Sequence, residues 1–513
     1  MEMELKKRNI EYYDILLDTS ALHEETLEII VPDASPDMLR IIGTSGCAFI
    51  KEKAAHEGSL STNGTIKGVV LYMADGDKLV RRLEVALPFS HTFDKNGITS
   101  YSKALVSARL QLLEAREINP RKLAVRANIC ISAKIYGESS MDMCCDIEGA
   151  SEYSIQTKKQ SVEVYMPISV KEKSFTISDD VEIPEAKPHF ASLLKQDVSL
   201  MTSDMKIIGS KAIIKGVARV NYCYNTRDGE VASCEHELPY SQIIEVDGME
   251  EDSDLGVHLN LRAAELEPQH DITGDTRYMG VNILVDACAI AHLKNEVDVL
   301  SDVYSTAYPI KTSSKTKNCR SFVERISKRV AAAETIELAS SAKSILELIV
   351  TLEPAKTRSE GDVETAVNEA QIAVMYVGTD DMVYSASRRC SVACPLSASS
   401  NANEYEYTAA VSGATCTAGI GSELQVRFFV DYDITQMHTK NINAIADVEL
   451  FEESPIDSAA APSVIIKYVY NGLELWDIAK QYNTTINEIA AANGLGDVEY
   501  IEAGSMLLIP KNR

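Results

Sequence analysis

The sequence predicts a mainly β protein of three tandem β-rich repeats, sandwich-like or open-barrel-like, followed by one small βααβ module. Three observations lead to this prediction. A motif recurs about every 150 residues, alternating apolar and polar runs surround turns in each interval, and the final segment changes to helical spacing. The predicted divisions are 1–150, 151–312 and 313–452 for the repeats, 453–463 for a linker and 464–513 for the module.

The repeat is visible in three stretches that align without a gap. They are 31–42 (VPDASPDMLRII), 183–194 (IPEAKPHFASLL) and 338–349 (LASSAKSILELI), so the second and third copies are offset by 152 and 307 residues. An extended segment precedes each stretch. A short helix is predicted within each, and in the first copy Ser35 suits its N-cap and Pro36 its first turn.

Two further strand pairs follow the motif in each copy. The first pair surrounds a turn, at Asp75-Gly76-Asp77, Asp228-Gly229 and Thr379-Asp380-Asp381, which predicts a hairpin. The second pair includes Ser102 to Arg116, which is rich in Ala, Leu and Arg and on its own favours a helix. Its third-copy counterpart, Tyr407 to Gly413, does not favour a helix. Because related copies share a fold, we predict a strand there, and about seven strands with one short helix per copy.

The last segment has the signals of a strand, two helices and a closing strand. Leu475 begins a helical apolar spacing, and Thr485 with Glu488 forms a capping box for the second helix, which Gly494 ends. Residues 453–463 are small and bounded by prolines. They predict a flexible linker that lets the module swing.

Composition and charge limit the classes of partner and compartment. The chain has 513 residues with 76 acidic and 50 basic side chains, and the net charge of −26 disfavours nucleic acid and anionic membrane as partners. Eleven scattered cysteines without a Cys-x-x-Cys pair indicate reduced thiols in a cytosolic protein. The N-terminus lacks a signal-peptide core and no apolar run is long enough to cross a bilayer, so we expect no transmembrane segment.

Motifs for catalysis and metal binding are not found. The sequence has no G-x-x-x-x-G-K-[ST] loop and no H-E-x-x-H. His236 has neighbours that alternate between faces and is a poor metal ligand, and the acidic loop 250–254 lacks the Gly and bidentate Glu of an EF-hand. We therefore expect no enzyme, no cofactor and no metal. One sequence still leaves open a hydrolase built on dispersed acidic pairs.

The C-terminal module resembles a LysM domain. The matching residues are Gly472, Leu475-Trp476, Ile478-Ala479, Asn493-Gly494, Ile501, Gly504, Leu507 and Ile509-Pro510. LysM domains bind N-acetylglucosamine polymers such as peptidoglycan or chitin. Their first loop normally reads Gly-Asp-Thr-Leu, whereas this chain has Gly472-Leu473-Glu474-Leu475. Losing one polar contact costs a sugar site about 1 kcal/mol or more. The resemblance therefore leaves three alternatives open: a glycan ligand, a protein ligand, or no ligand.

Three such repeats ending in a LysM module resemble the SPOCS-domain proteins of spore-forming bacteria, although the third copy has Ala339 and Lys343 in place of both prolines. The resemblance implies a non-enzymatic spore-coat scaffold in the mother-cell cytosol. Such a scaffold binds a basement-layer coat ATPase and other coat proteins and helps encase the forespore. In that family the LysM module is implicated in the ATPase contact.

The expected partner-binding face of the module consists of Leu473, Glu474, Leu475, Trp476, Ile478 and Ile501. Because Trp476 is expected to lie partly in the module's core, changing it tests folding as much as binding. The alternative is a cell-wall protein that binds peptidoglycan or chitin through the same groove. Weak binding of peptidoglycan by the module stays open.

Overall fold

The computed structural model describes residues 1–76, 79–249, 253–270, 276–360, 363–396, 401–419, 421–457, 462, 464–470, 472–496 and 500–510. For Leu473 the description covers the backbone only. Parts of several predicted features lie outside these ranges: Asp77 of the first turn, 250–252 of the acidic loop, and 458–461 and 463 of the linker. Within these ranges the chain is built of strands apart from two short helices near the C-terminus, which confirms the predicted mainly β fold class.

The first two repeats have the same six-stranded design. Each forms two antiparallel sheets of three strands, in the orders β1-β6-β5 and β2-β3-β4 in the first repeat, and β11-β12-β7 and β10-β9-β8 in the second. The strands of the first repeat are β1 Leu5–Ile30, β2 Met38–His56, β3 Ser59–Ala74, β4 Val80–Asp94, β5 Lys103–Asn119 and β6 Lys122–Ile147. Those of the second are β7 Ile155–Glu182, β8 Phe190–Ile208, β9 Lys211–Thr226, β10 Val231–Glu245, β11 Asp254–His270 and β12 Thr276–Ser305.

The third repeat varies this design by one extra short strand. Its strands are β13 Ile310–Glu337, β14 Ala342–Leu352, β15 Lys356–Glu360, β16 Val363–Gly378, β17 Val383–Pro395, β18 Glu404–Ala418 and β19 Glu423–Leu450. One sheet has the order β13-β19-β18, and in the other β16 pairs with β14, β15 and β17. β13 starts at Ile310, ahead of the predicted start of this repeat at residue 313.

Each repeat encloses one apolar core between its two sheets, which makes it a β-sandwich. In the first repeat Tyr72 of β3 and Ile129 of β6 are both buried in the same core. Tyr222 of β9 with Ile283 of β12 repeats this arrangement in the second core. Alternate residues of a strand point to opposite faces, so one face of each sheet supplies the core. The hairpins predicted around the three turns are the β3/β4, β9/β10 and β16/β17 pairs.

The short helix predicted in each motif is wrong, because the motif forms a turn that leads directly into a strand. The Ser35 amide donates to the Pro32 carbonyl at 2.8 Å, and the Lys187 amide donates to the Pro184 carbonyl at the same distance. The apolar residues that follow pair with β3 and its counterparts instead of forming a helical stripe.

Six strands run beyond the sandwiches as three two-stranded ribbons, β1/β6, β7/β12 and β13/β19, which pack on one another. Met141, Val297 and Ile442, one from each ribbon, are buried in a common cluster. Near the end of each ribbon one residue is left unpaired, Cys145 in β6, Ser301 in β12 and Ala446 in β19, which forms a β-bulge. The three repeats therefore form one packed body instead of separate beads.

A second contact region joins the repeats through their other sheets. Leu71 of β3, Cys223 of β9 and Met375 of β16 are buried in one cluster. Beside it, Lys195 of β8 forms an ion pair with Glu347 of β14, and the two side chains are only 9% and 8% exposed. The second and third repeats are thus joined by a buried pair of charges.

Candidate functional site

The C-terminal module has the predicted βααβ order with two additional short strands. β20 Val464–Tyr468 pairs with β23 Met506–Pro510, and β21 Leu473–Glu474 pairs with β22 Tyr500–Ile501. The helices are α1 Leu475–Gln481 and α2 Ile486–Asn493.

Local sequence signals fix the start and end of α2. The Thr485 hydroxyl accepts from the Glu488 amide at 3.2 Å, and the Thr485 amide donates to the Glu488 carboxylate at 3.1 Å. This reciprocal arrangement is the predicted capping box. Gly494 ends the helix in a left-handed conformation with a φ of 61°.

Three residues of the expected partner-binding face lie inside the module. Leu475, Ile478 and Ile501 are 1%, 1% and 5% exposed, and they pack in one cluster with Ile489 and Leu507. Their burial stabilises the module, at about 1.5–3 kcal/mol for each such side chain. These three residues therefore lie in the core of the module. That a partner touches the face they were expected to form stays a prediction.

Trp476 contacts the second repeat instead of solvent. Its indole Nε1 donates a hydrogen bond to Oδ2 of Asp302 at 2.8 Å. Its ring meets that of Tyr304 edge to face, with centroids 4.9 Å apart at 72°. The indole is 7% exposed, so this contact between module and repeat is largely shielded from water.

Further polar contacts surround the tryptophan. The Lys480 ammonium lies 2.6 and 2.8 Å from the two carboxylate oxygens of Asp302. The Tyr304 hydroxyl donates to the Thr484 carbonyl at 2.7 Å. Glu474, another residue of the expected face, forms an ion pair with Lys158 of β7. We call Lys158, Asp302 and Tyr304, together with Glu474, Trp476, Lys480 and Thr484, the docking contact.

The electrostatics of the docking contact favour a charged aspartate. Partial burial acts to raise the pKa of Asp302, but hydrogen bonds from Lys480 and Trp476 outweigh it, and the pKa is lowered overall. Burial raises the pKa of the Tyr304 hydroxyl, which therefore stays a neutral donor. The structure shows a docked module where the sequence predicted one that swings freely.

The docking contact was not foreseen from the sequence, although one signal for it exists. Asp302 directly follows the bulge residue of β12, and Asp146 and Asp447 directly follow the bulges of β6 and β19. Two residues further on, the second repeat has Tyr304 where the others have Glu148 and Glu449. The single aromatic residue at this repeated position distinguishes the repeat on which the module docks.

The described residues do not gather metal-binding side chains into one site. Among them, no group of three His, Cys, Asp or Glu side chains is placed to hold a metal ion. His236 lies against Tyr222, with Nε2 3.3 Å from the hydroxyl, and burial lowers its pKa. All eleven cysteines are free thiols. None of the helices in the described ranges has the length and apolar character needed to span a bilayer.

Fold and site together define a modular protein, in which three packed β-sandwiches carry a docked βααβ module. Comparison with protein families finds two matches, to the model described as "SipL, SPOCS domain" at residues 190–267 and to the LysM domain at residues 475–510. The chain thus carries a SPOCS domain within its second repeat and a LysM domain at its C-terminus. These are not catalytic domains, and together they fit a sporulation protein with a module of the cell-wall-binding type.

The extent of each match agrees with the geometry. The SPOCS match covers β8 to β11, the part of the second repeat that follows its motif turn. The LysM match begins at Leu475, just after the Leu473-Glu474 departure from the family's first loop. Searches of the curated proteins and of the solved structures give no match to the chain.

Proposed function

We propose that this protein is a non-enzymatic scaffold of the spore coat. In this proposal it acts in the mother-cell cytosol at the forespore surface, binds a basement-layer coat ATPase through its LysM domain, and helps encase the forespore. The combination of SPOCS and LysM domains supports the coat assignment. Contacts of the β-sandwiches with other coat proteins belong to the same proposal.

The ion pair between Glu474 and Lys158 is the main observation that favours a protein ligand over a sugar. Glu474 stands where LysM sugar grooves have a small polar residue, and here its carboxylate is engaged by β7. A sugar site needs donors and acceptors that are free to bond hydroxyl groups, and an occupied or missing one weakens binding. The charged, engaged rim favours a polypeptide ligand over N-acetylglucosamine.

The residues of the expected partner-binding face have different roles in this proposal. Leu475, Ile478 and Ile501 maintain the shape of the module from its core. Trp476 and Glu474 hold the module on the second repeat. Leu473 remains the residue of this set proposed to touch the partner directly.

The test uses the purified full chain with two ligands, the coat ATPase of the same organism and insoluble peptidoglycan. We expect the ATPase to co-purify with the chain, and the chain to stay in the supernatant when peptidoglycan is sedimented. A glycan-binding LysM protein serves as the positive control for the pellet. Strong retention in the pellet, without ATPase binding, would replace this proposal with the cell-wall alternative, which the LysM match itself supports.

A second experiment tests the cellular part of the proposal. A fluorescently tagged copy in sporulating cells is expected to form a shell around the forespore. Secretion of the tagged protein, or an even distribution through the cell at all stages of sporulation, would contradict the assignment.

A further inference from the structure

The outer face of the β20/β23 sheet is apolar over its whole described length. Three cross-strand pairs share this face: Val464 with Pro510, Ile466 with Leu508, and Tyr468 with Met506. Ile466 and Met506 are 70% and 71% exposed, and the neighbouring Tyr470 is 81% exposed. We call Val464, Ile466, Tyr468, Tyr470, Met506 and Leu508 the outer sheet face.

The fold of the module does not account for this composition. The inner face of the same two strands, with Ile465, Leu507 and Ile509, already supplies the core. An antiparallel sheet with one face on a core normally has polar residues on the other. A contiguous exposed apolar patch marks an interaction surface more often than single exposed residues do.

The docking contact leaves the outer sheet face free. The polar contacts described above reach the second repeat from the Glu474 side chain, from two side chains of α1 and from the backbone carbonyl of Thr484. The Asn493 side chain covers the backbone of β23, since it donates to the Leu508 carbonyl at 2.6 Å and accepts from the Leu508 amide at 2.7 Å. The edge of β23 is therefore closed at this point, whereas the side chains of the sheet face remain open.

Charge indicates what kind of surface fits this face. Between residues 464 and 510 the sequence has six carboxylates and two lysines. Both lysines are engaged: Lys480 with Asp302, and Lys467 with the Gln481 side chain at 2.5 Å and the Tyr482 ring. A second copy of the chain would bring another net charge of −26, and an anionic membrane would also be repelled.

We infer that the outer sheet face is the surface on which the LysM domain receives its partner, a protein surface with apolar side chains surrounded by lysine and arginine. This inference rests on the proposed function and moves the contact from the groove to the outer sheet face. The docking contact then holds the module with this face directed away from the second repeat.

The test measures binding of the full-length chain to the purified coat ATPase, with the double variant Ile466→Ser/Met506→Ser and the control Leu22→Ser. Leu22 is 73% exposed on β1, far along the chain from the module, so its replacement removes a similar apolar group elsewhere. We expect the double variant to bind at least 10-fold more weakly, the control to bind like the unmodified chain, and binding to weaken as salt is raised. Unchanged melting and Trp476 emission show that the double variant is folded.

The outcomes separate the two proposals. If the unmodified chain does not bind the ATPase, the proposed function fails and this inference fails with it. If it binds and the double variant binds equally well, only this inference fails. Dimerisation of the unmodified chain that the double variant abolishes would make a second copy the occupant and overturn the inference. Binding to anionic vesicles through the same face would overturn it as well.

Discussion

The indole of Trp476 donates to the carboxylate of Asp302 across 2.8 Å, and this bond joins the last module of the chain to the second repeat. Trp476 is the only tryptophan in the sequence. Its fluorescence therefore reports directly on whether the module is docked. The first two predictions use this property.

Replacing Asp302 by alanine is expected to release the module. The change removes the acceptor of the Trp476 bond and the partner of Lys480, and a hydrogen bond that involves a charged group contributes about 1.5–3 kcal/mol. We expect a red-shifted Trp476 emission and faster proteolysis between the third repeat and the module. Asp447→Ala is the matched control, because Asp447 follows the equivalent bulge in β19 and is exposed. Identical emission of Asp302→Ala and the unmodified chain would count against the docking contact.

Acid is expected to release the module in the unmodified chain. The pKa of Asp302 is lowered from its ordinary value of 3.8 in the docked state, so the undocked carboxyl binds a proton more readily. The charged carboxylate therefore stabilises docking fully when the pH is above that ordinary value. This stabilisation is lost as the pH falls from the ordinary value through the lowered pKa of the docked state. Emission measured between pH 7 and pH 2.5 checks this, with far-ultraviolet circular dichroism to follow global unfolding. Asp302→Ala should lack this transition, and a release that occurs near pH 6 would refute the assignment to a carboxylate.

Breaking the buried ion pair of Lys195 and Glu347 is expected to destabilise the protein strongly, whereas replacing both residues by apolar ones is expected to change its stability little. Lys195→Met leaves an unpaired carboxylate at a side chain that is 8% exposed, which destabilises by about 3–5 kcal/mol. Adding Glu347→Leu to Lys195→Met should restore most of the lost free energy of unfolding. Denaturant unfolding measures both. Lys343→Met is the control, since its ion pair with Asp381 is exposed to solvent and its loss should leave the free energy of unfolding nearly unchanged.

Gly216 is expected not to tolerate a side chain. A Cβ there would overlap the Met201 carbonyl and the Tyr240 ring, which lies across the strand pair. Gly216→Ala should therefore lower the free energy of unfolding by about 1–3 kcal/mol. Gly413→Ala in β18 serves as the comparison, because a Cβ there would have no atom within 4 Å apart from Gly413 itself and its chain neighbours. Equal stability of the two variants would show that the strands around Gly216 adjust freely.

We expect the same loss of stability when the equivalent glycine of the first repeat is replaced by alanine. Gly64 faces Phe89 as Gly216 faces Tyr240, and a Cβ would overlap the Phe89 ring. The third repeat has Asn368 opposite Val392 at this place, so it fills the site with different side chains.

The sequence predicted the strands where several copies could be compared. Ser102 to Arg116 favours a helix by composition, yet residues 103–119 form β5 with Leu113 buried against the sandwich core. Pairing with β6 overrides the local preference, and the third copy revealed this because its residues have no helical preference. A single copy would have given the wrong answer.

Short-range signals failed where a long-range contact decided the structure. Ser35 and Pro36 are a good helix start in isolation, but the next residues pair with β3. The first of these pairs joins Met38 to Ala74, 36 residues further along the chain. The contact between the module and the second repeat could not be predicted from the sequence for a related reason. Helical spacing at Leu475 and Ile478 shows that one side of α1 is apolar, but it does not show whether a core or a partner covers that side.

The three bulge aspartates have separate roles although they occupy equivalent positions in the repeats. Asp146 pairs with Lys159 of the neighbouring repeat, Asp302 holds the module, and Asp447 faces solvent. A ring of three identical subunits would offer three identical docking points and carry three modules. Because the three copies lie in one polypeptide and differ in sequence, the molecule has a stoichiometry of one module per three sandwiches and a built-in polarity that a symmetric trimer would lack.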